Sequence, residues 1–425
     1  MRPSPPIGER GAVLLVVVFL GAVLAVLVLQ FTYLVSLDTR MASSFRDSEE
    51  AYCLARAGVA RAMEILILDK LADLEESGEA EGDIEAEPVD TLEDSWAVAQ
   101  EEIELGSGRV AFRIEDEERK FNLNLLVKDG EGAREVLALI KRREGGEAEE
   151  GEGAVPEGEA ESHAADDEDN PWPEDEKMVE ALEWFLEYLG APEPEETSVN
   201  LANWVTSNDG GRSDYGESDP GYECKKAPME SVGEMTLVRD IGQALFRGEL
   251  GEEIEVARPE DGEWPGNEED EDEDEPFRGL RAYFTVYSDG LINLNTAGVE
   301  VIAAGIRSLD EDRSDDAEEV AACLVAARDE LPFADLEEET LESVDCDLPA
   351  GMEKRFKVAS DFFTILAEGR VGSSGGEKDS LPRSVCRVRA VVHRLDERMV
   401  ILSWRVESPW EDYLAREEDE TEIRL

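Results

Sequence analysis

The sequence predicts an α+β protein: a long N-terminal helix packed on a small antiparallel sheet, with a large, mainly helical insertion. Three observations carry this expectation. An unbroken apolar run, Ala12–Leu29, passes into helically spaced apolar positions, with no Pro between Pro6 and Pro88. Strand-like segments fall into two groups, one around residues 95–115 and one beyond residue 355. The stretch between them shows mostly helical spacing and is interrupted by two acidic, low-complexity inserts.

At 1.5 Å per residue, Ala12–Leu29 spans about 27 Å, close to the hydrocarbon thickness of a bilayer. Phe31, Leu34 and Val35 continue the run past Gln30, and Tyr52, Ala55, Val59, Met63 and Leu66 follow at steps of three and four. The expected helix covers 12–76, with 12–37 as its membrane part. Three explanations compete for this segment. A cleaved secretory signal needs a shorter apolar core and a small-x-small exit site, and no clear site precedes Gln30. A plain single-span anchor fits the run. So does a type IV pilin-like signal, in which a membrane-embedded peptidase cuts after a glycine at the cytoplasmic end. Gly11 stands at that place, so the cut would fall between Gly11 and Ala12 and release the leader 1–11. Arg2 and Arg10 hold the N-terminus in the cytoplasm and leave the rest of the chain outside.

Further along, Ser77–Pro88 is a Gly/Glu-rich linker. Ser95–Val98 and Arg109–Glu115 alternate as strands, and Asp116–Lys120 reads as a polar turn into Phe121–Leu126. Val136–Arg142 and Lys177–Leu189 are helices, the second with Met178, Leu182, Phe185 and Leu189 on one face. A short apolar helix around Leu201–Val205 opens into a polar loop that ends at Tyr222. Ser231 caps a helix start that reaches Val238. Arg281–Ser288 reads as a strand, and Ile292–Ala297 leads into the helices Val299–Ile306 and Ala317–Asp329. Arg355–Leu366, Ser384–Leu395 and Met399–Val406 close the chain as strands, with Asp396-Glu397 of hairpin length and Trp404 as a core residue. The sheet domain therefore draws on 89–126 and 355–408. The insertion covers 127–354, its inserts 144–176 and 249–276 are too polar to bury a core, and 409–425 is an acidic tail.

With 105 Asp+Glu against 41 Lys+Arg, the formal net charge is −64. Such a surface repels phosphate backbones and anionic headgroups and favours cations or basic partners. Cys53 lies on the first helix, and the other four cysteines allow three pairings in an oxidising compartment. Cys323–Cys346 leads because both lie in the small helical unit, with buried free thiols as the alternative.

The order of segments resembles the K-type minor pseudopilins of bacterial type II secretion systems. Four pieces carry the resemblance: Arg10-Gly11-Ala12 with the apolar run, Phe121-Asn122-Leu123-Asn124-Leu125, Asn203-Trp204-Val205 with the loop to Tyr222, and Ile292-Asn293-Leu294-Asn295-Thr296-Ala297 with two helices after it. The resemblance implies a pilin-like fold and a pseudopilus tip subunit that helps start assembly for export across the outer membrane. It implies as partners the I- and J-type minor pseudopilins, the major pseudopilin, a prepilin peptidase and the inner-membrane secretion platform. Like the K-type subunits, this chain lacks Glu five residues after the cut, where it has Val16. A subunit without that carboxylate cannot pair with the terminal ammonium of a subunit ahead of it. The helix face around Val59, Met63 and Leu66 is the expected contact with the I- and J-like partners.

The corresponding loop of the family can bind calcium. Here Asn203, Thr206 and Asn208 stand where three Asp would fall, which lowers the charge that sets calcium affinity. The candidate ligands are Asn203, Asn208, Asp209, Asp214 and Asp219, and an ordinary Asn/Asp turn is the alternative.

A minor pilin of a type IV pilus would share the leader and helix. A membrane-anchored periplasmic enzyme would need a reactive constellation, yet the chain has only His163 and His393 as histidines and no GxSxG or phosphate-cradling loop. The expectation is therefore no enzyme. The unit from Asn293 to Leu336 is similar to helix-hairpin-helix modules, but Asp310, Glu311, Asp312, Asp315, Asp316, Glu318 and Glu319 exclude nucleic acid there.

Overall fold

The computed structural model describes residues 8–79, 88–98, 102–144, 172–207, 215, 221–248, 279–309, 316–337, 340–341, 343–344, 346–372, 382–395 and 398–407. Its first element, α1 (Gly8–Glu79), is a single helix of 72 residues. It begins inside the expected leader and runs through the Gly11–Ala12 peptide bond without a break. The two halves of α1 have opposite surroundings. Every residue from Leu14 to Arg40 is exposed. This stretch has the length and composition to cross a membrane, with a mean hydropathy of 3.0 over its most apolar window. Beyond it, Ala51, Leu54, Ala55, Val59, Ala62, Ile65 and Leu66 form one buried face.

That face lies on an antiparallel sheet of order β1-β2-β7-β8-β9. Its strands are β1 (Ile103–Leu105), β2 (Gly108–Asp116), β7 (Phe362–Val371), β8 (Ser384–Arg394) and β9 (Met399–Glu407). Val110, Phe112 and Ile114 of β2 are buried at the period of two, opposite Phe363, Ile365 and Ala367 of β7 and Val388, Ala390 and Val392 of β8. The register runs from Gly108↔Val371 to Asp116↔Phe363. A one-residue slip would turn the three β2 side chains to solvent. Glycine lets the helix backbone touch the sheet. A Cβ on Gly58 would lie 2.7 Å from Val110 Cγ2, and one on Gly369 would collide with the Ala51 carbonyl.

A second core is mainly helical. It includes α2 (Glu131–Glu144), α3 (Glu176–Tyr188), α4 (Pro194–Val205), α5 (Gln243–Arg247), α6 (Val299–Leu309) and α7 (Ala317–Glu330). Two parallel strand pairs join it to the sheet: β3 (Phe121–Asn122) with β4 (Phe284–Thr285), and β5 (Ile292–Asn293) with β6 (Phe356–Lys357). The expected Cys323–Cys346 disulfide is present, with a Cα–Cα distance of 6.0 Å, and it ties α7 to the turn before β6. Cys53, Cys224 and Cys386 are free thiols. The architecture is thus the α+β arrangement of long helix, antiparallel sheet and helical segments that the sequence predicts.

Several local expectations are corrected. Ser95–Val98 is a turn and not a strand, because Asp94 accepts hydrogen bonds from the amide and hydroxyl of Thr91 and winds the chain back on itself. The strand expected over Arg281–Ser288 shrinks to Phe284–Thr285. The segment Arg355–Leu366 splits, since Phe356–Lys357 pairs with β5 before the chain enters β7. Trp404 is only partly buried, because β9 is an edge strand. The end of the first acidic insert is structured: Lys128 N donates to Pro173 O at 2.8 Å, Asp175 N to Leu126 O at 2.8 Å, and the Asp175 side chain caps α3. Most important, Val59 and Leu66 are not open to a partner. They are 1% and 0% exposed beneath the chain's own sheet, with Met63 partly buried beside them. The amphipathic period recorded this intramolecular contact.

Gly369→Ala should destabilise the protein by about 1–3 kcal/mol, because the added methyl must push α1 off β7. Urea unfolding would measure this, and an unchanged midpoint would show that the helix does not seat that closely.

Candidate functional site

Three features of the fold could carry function: the exposed half of α1, a buried polar joint between the two cores, and an acidic corner where α1 meets residues 88–98.

The joint starts at the end of β2. Asp116, Glu117 and Glu118, expected as part of a solvated turn, are 1%, 4% and 0% exposed. Each carboxylate oxygen has a partner. Asp116 Oδ1 accepts from Glu118 N, and its Oδ2 accepts from Thr296 Oγ1 at 2.5 Å and Ser360 Oγ at 2.7 Å. Glu117 accepts from Lys120 Nζ, Thr364 Oγ1 and Thr285 Oγ1 at 2.5–2.6 Å. Glu118 pairs with Lys357 Nζ at 2.7 Å and accepts from Asp361 N at 2.6 Å. Burial pushes the Asp116 carboxyl up from its ordinary value. It pushes Glu117 up as well, but Lys120 and the two hydroxyls outweigh burial and leave Glu117 below the usual range.

The two Asn-Leu-Asn motifs use one device twice. In each, the first Asn takes the backbone N–H of the second at 2.9 Å. The second Asn then grips a distant backbone with both ends of its amide. Asn124 exchanges bonds with Met229 N and O at 2.7 and 3.0 Å, and Asn295 with Phe333 N and O at 2.9 Å each. Asn122 Nδ2 reaches Ser288, and Asn293 Nδ2 reaches Ser360 Oγ at 2.8 Å and Asp90 O at 3.2 Å. Asn122, Asn124 and Asn295 therefore tie segments of the helical core to one another, while Asn293 reaches Asp90 and Ser360, which lead to the sheet.

The acidic corner joins α1, the segment 88–98 and β8. Carboxylate oxygens of Asp69, Asp90 and Asp94 lie within 4.8 Å of one another. Arg394 donates to Asp90 Oδ2 at 2.5 Å and stands 3.7 Å from Asp69 Oδ2. Burial, then Asp94, Asp90 and Asp73, push the Asp69 carboxyl up to about 7. Burial raises Asp90 to about 6, against the lowering effect of Arg394. A carboxyl raised in the folded state favours folding when protonated. The contribution of Asp69 to stability therefore falls as pH rises from its ordinary 3.8 towards about 7.

Among the residues singled out from sequence, Gly11 and Ala12 lie on the free helix, while Val59, Met63 and Leu66 lie against the sheet. Asn203 sits on α4, 5% exposed, where its carbonyl accepts a bond from Cys224 Sγ at 3.3 Å. Asn208, Asp209, Asp214 and Asp219 lie outside the described residues. The structure therefore shows only one of the five expected calcium ligands, and that one is enclosed in a core helix. The ends of the loop are held by Trp204, Tyr215 and Tyr222, with ring centroids 5.1–6.3 Å apart. A groove of about 390 Å³ between α2 and β9 is lined by Val136, Ile140, Tyr287 and Ile401, with Glu230 as its ionisable side chain. His393 stacks on Phe362 at 4.3 Å and is a core residue. The buried carboxylates and the acidic corner were not legible as sites. Only the repeated Asn-Leu-Asn pattern signalled the joint.

No family model and no curated protein matches the sequence. Among solved structures, the chain is similar to one in the crystal structure of the GspK-GspI-GspJ complex from the type 2 secretion system of enterotoxigenic Escherichia coli. The two are 15% identical, the comparison covers 87% of this chain and 99% of that chain, and the TM-score is 0.46.

Asn124→Ala should cost about 2–4 kcal/mol, since it leaves the buried N–H and C=O of Met229 without partners. Chemical denaturation would report the loss, and a change below 1 kcal/mol would mean that the clamp does not hold the helical core together.

Proposed function

We propose that this chain is a minor pseudopilin that caps the tip of a type II secretion pseudopilus and helps start its assembly. The observation that carries the reading is the division of α1. One uninterrupted helix is apolar and bare from Leu14 to Leu37, then buried against its own head from Ala51 to Leu66. A helix projecting from a folded head with no cover of its own suits insertion into a bilayer, followed by packing among like helices in a filament. An ordinary anchor needs only the first of these. The order of the four sequence pieces favours the filament.

On this reading the leader is cut between Gly11 and Ala12 by a prepilin peptidase, and the head lies on the periplasmic side of the inner membrane. Val16 stands where a carboxylate would pair with the terminal ammonium of a subunit ahead, so nothing in α1 calls for a neighbour above. The head is large against the helix spacing of about 8–10 Å in a packed filament, which also suits the end position. The partners are I- and J-like minor pseudopilins, the major pseudopilin and the inner-membrane platform, and no catalysis is assigned. Because Val59 and Leu66 are occupied by the sheet, partner contacts fall on the outer side of the same helix. Leu68 and Leu71 are 54% and 43% exposed there, beside the partly buried Met63. Calcium in the loop 203–222 remains part of the proposal, as does the alternative of a type IV minor pilin.

N-terminal sequencing of protein extracted from membranes should begin at Ala12, and site-specific crosslinks from Leu68 should reach I- and J-like subunits at one end of the filament. A chain that starts at Met1, or crosslinks spread along the whole shaft, would sink the tip assignment. Leu68→Asp should weaken recovery of the partners at least tenfold without moving the melting temperature, as expected of an exposed contact residue.

A further inference from the structure

We propose that Asp69, Asp90 and Asp94 form a divalent-cation site of the calcium class, which fastens the lower end of α1 to residues 88–98. The site is separate from the loop 203–222 and does not depend on the secretion reading.

Geometry gives the first reason. Calcium holds oxygen ligands at 2.3–2.6 Å, so ligands on opposite sides of one ion are about 5 Å apart. The three carboxylate oxygens, within 4.8 Å of one another, fit around one such ion, with water completing the shell. They come from different parts of the chain: Asp69 from α1, Asp90 and Asp94 from the segment that follows the linker.

Hydrogen bonding gives a second and independent reason. The buried carboxylates of the joint, Asp116, Glu117 and Glu118, have both oxygens partnered. At the corner the pattern breaks. Asp90 is 0% exposed, and its Oδ2 is fixed by Arg394 and by Ser360 N at 2.7 Å. The carboxylate therefore cannot turn to seek another donor. Its Oδ1 accepts no hydrogen bond among the described residues, and neither does the buried Oδ2 of Asp69. A buried carboxylate oxygen without a donor is costly. A cation satisfies oxygens that have no donor: Ser95 Oγ lies 3.3 Å from Asp69 Oδ1, Thr91 N and Oγ1 bond Asp94, and Arg394 Nη1, itself without a hydrogen bond among the described residues, stops 3.7 Å from Asp69 Oδ2.

Charge gives the third. Asp73 adds a fourth carboxylate to the field felt by Asp69, and Arg394 offsets part of it. Lys70, next along the helix, faces Asp361 at 3.7 Å instead. The corner therefore keeps an excess of negative charge that a divalent ion would balance.

Trp96 makes the site testable. It is 2% exposed and lies two residues beyond Asp94, close enough to sensitise a lanthanide bound there. Full-length protein in detergent, stripped with a chelator, would be titrated with terbium under tryptophan excitation. We expect luminescence that calcium displaces and that Trp96→Phe largely removes. Asp94→Asn should weaken the Trp96-sensitised terbium binding by tenfold or more, whereas Glu353→Gln, at an exposed position before β6, should leave it unchanged. Calcium should raise the melting temperature of the wild type and of Trp96→Phe by more than it raises that of Asp69→Asn. If luminescence survives Trp96→Phe and affinity survives Asp94→Asn, the ion sits elsewhere on this acidic chain and the proposal fails. It fails equally if millimolar calcium leaves the wild-type melting temperature unchanged while Asp69→Asn alone raises it, because a proton then relieves the corner.

Discussion

Three consecutive carboxylates, Asp116, Glu117 and Glu118, leave the end of β2 and enter the interior, and the rest of the head is arranged around them. A buried carboxylate costs several kcal/mol unless its oxygens are matched. Here the matching groups come from remote parts of the chain: Thr285 on β4, Thr296 beside β5, Lys357 on β6, Ser360 and Asp361 before β7, and Thr364 on β7. Each partner must reach its place for the whole set to be satisfied. Asn293 joins the same set through Asp116 and Ser360, so the seam between sheet and helical core is polar, buried and specific. A seam of leucines would hold the two cores together with less demand on their relative placement.

The second constraint is contact between backbones. Gly58 and Gly369 let α1 lie directly on β2 and β7, and the sheet covers one side of the helix from Ala51 to Leu66. The helix is thereby fixed to the head by its lower half alone. The upper half, Leu14 to Leu37, is exposed, with no cover among the described residues. A rigid rod with one end committed to a head and the other bare can transmit the position of a membrane-bound or filament-bound segment to that head.

This division also explains why the helix face chosen from periodicity lies against the chain's own sheet. An amphipathic pattern states that one face will be buried and does not state by what. In this chain Val59 and Leu66 meet β2, β7 and β8, while Leu68 and Leu71 on the same helix are exposed. The acidic corner belongs to the same end of the helix, where Ser95 and Arg394 already link Asp69 to residues 88–98 and to β8.

Local rules in the sequence determined what depends on local rules. The absence of Pro and the apolar spacing fixed α1, the period of two fixed β2, β8 and β9, and the position of two cysteines in one small unit made Cys323–Cys346 the leading pairing, which the structure shows. The Asn-Leu-Asn motifs were visible, but not their use, because each amide bonds a backbone more than thirty residues away. The tertiary structure alone decided that Asp116–Glu118 is interior and not solvated, and that Ser95–Val98 turns under Asp94. It also decided that Asp69, Asp90 and Asp94 converge. The physical reason is the same in each case. A carboxylate reads as surface in one dimension, and only the fold can bring the distant donors, or the distant carboxylates, that make its burial favourable or leave it wanting a cation.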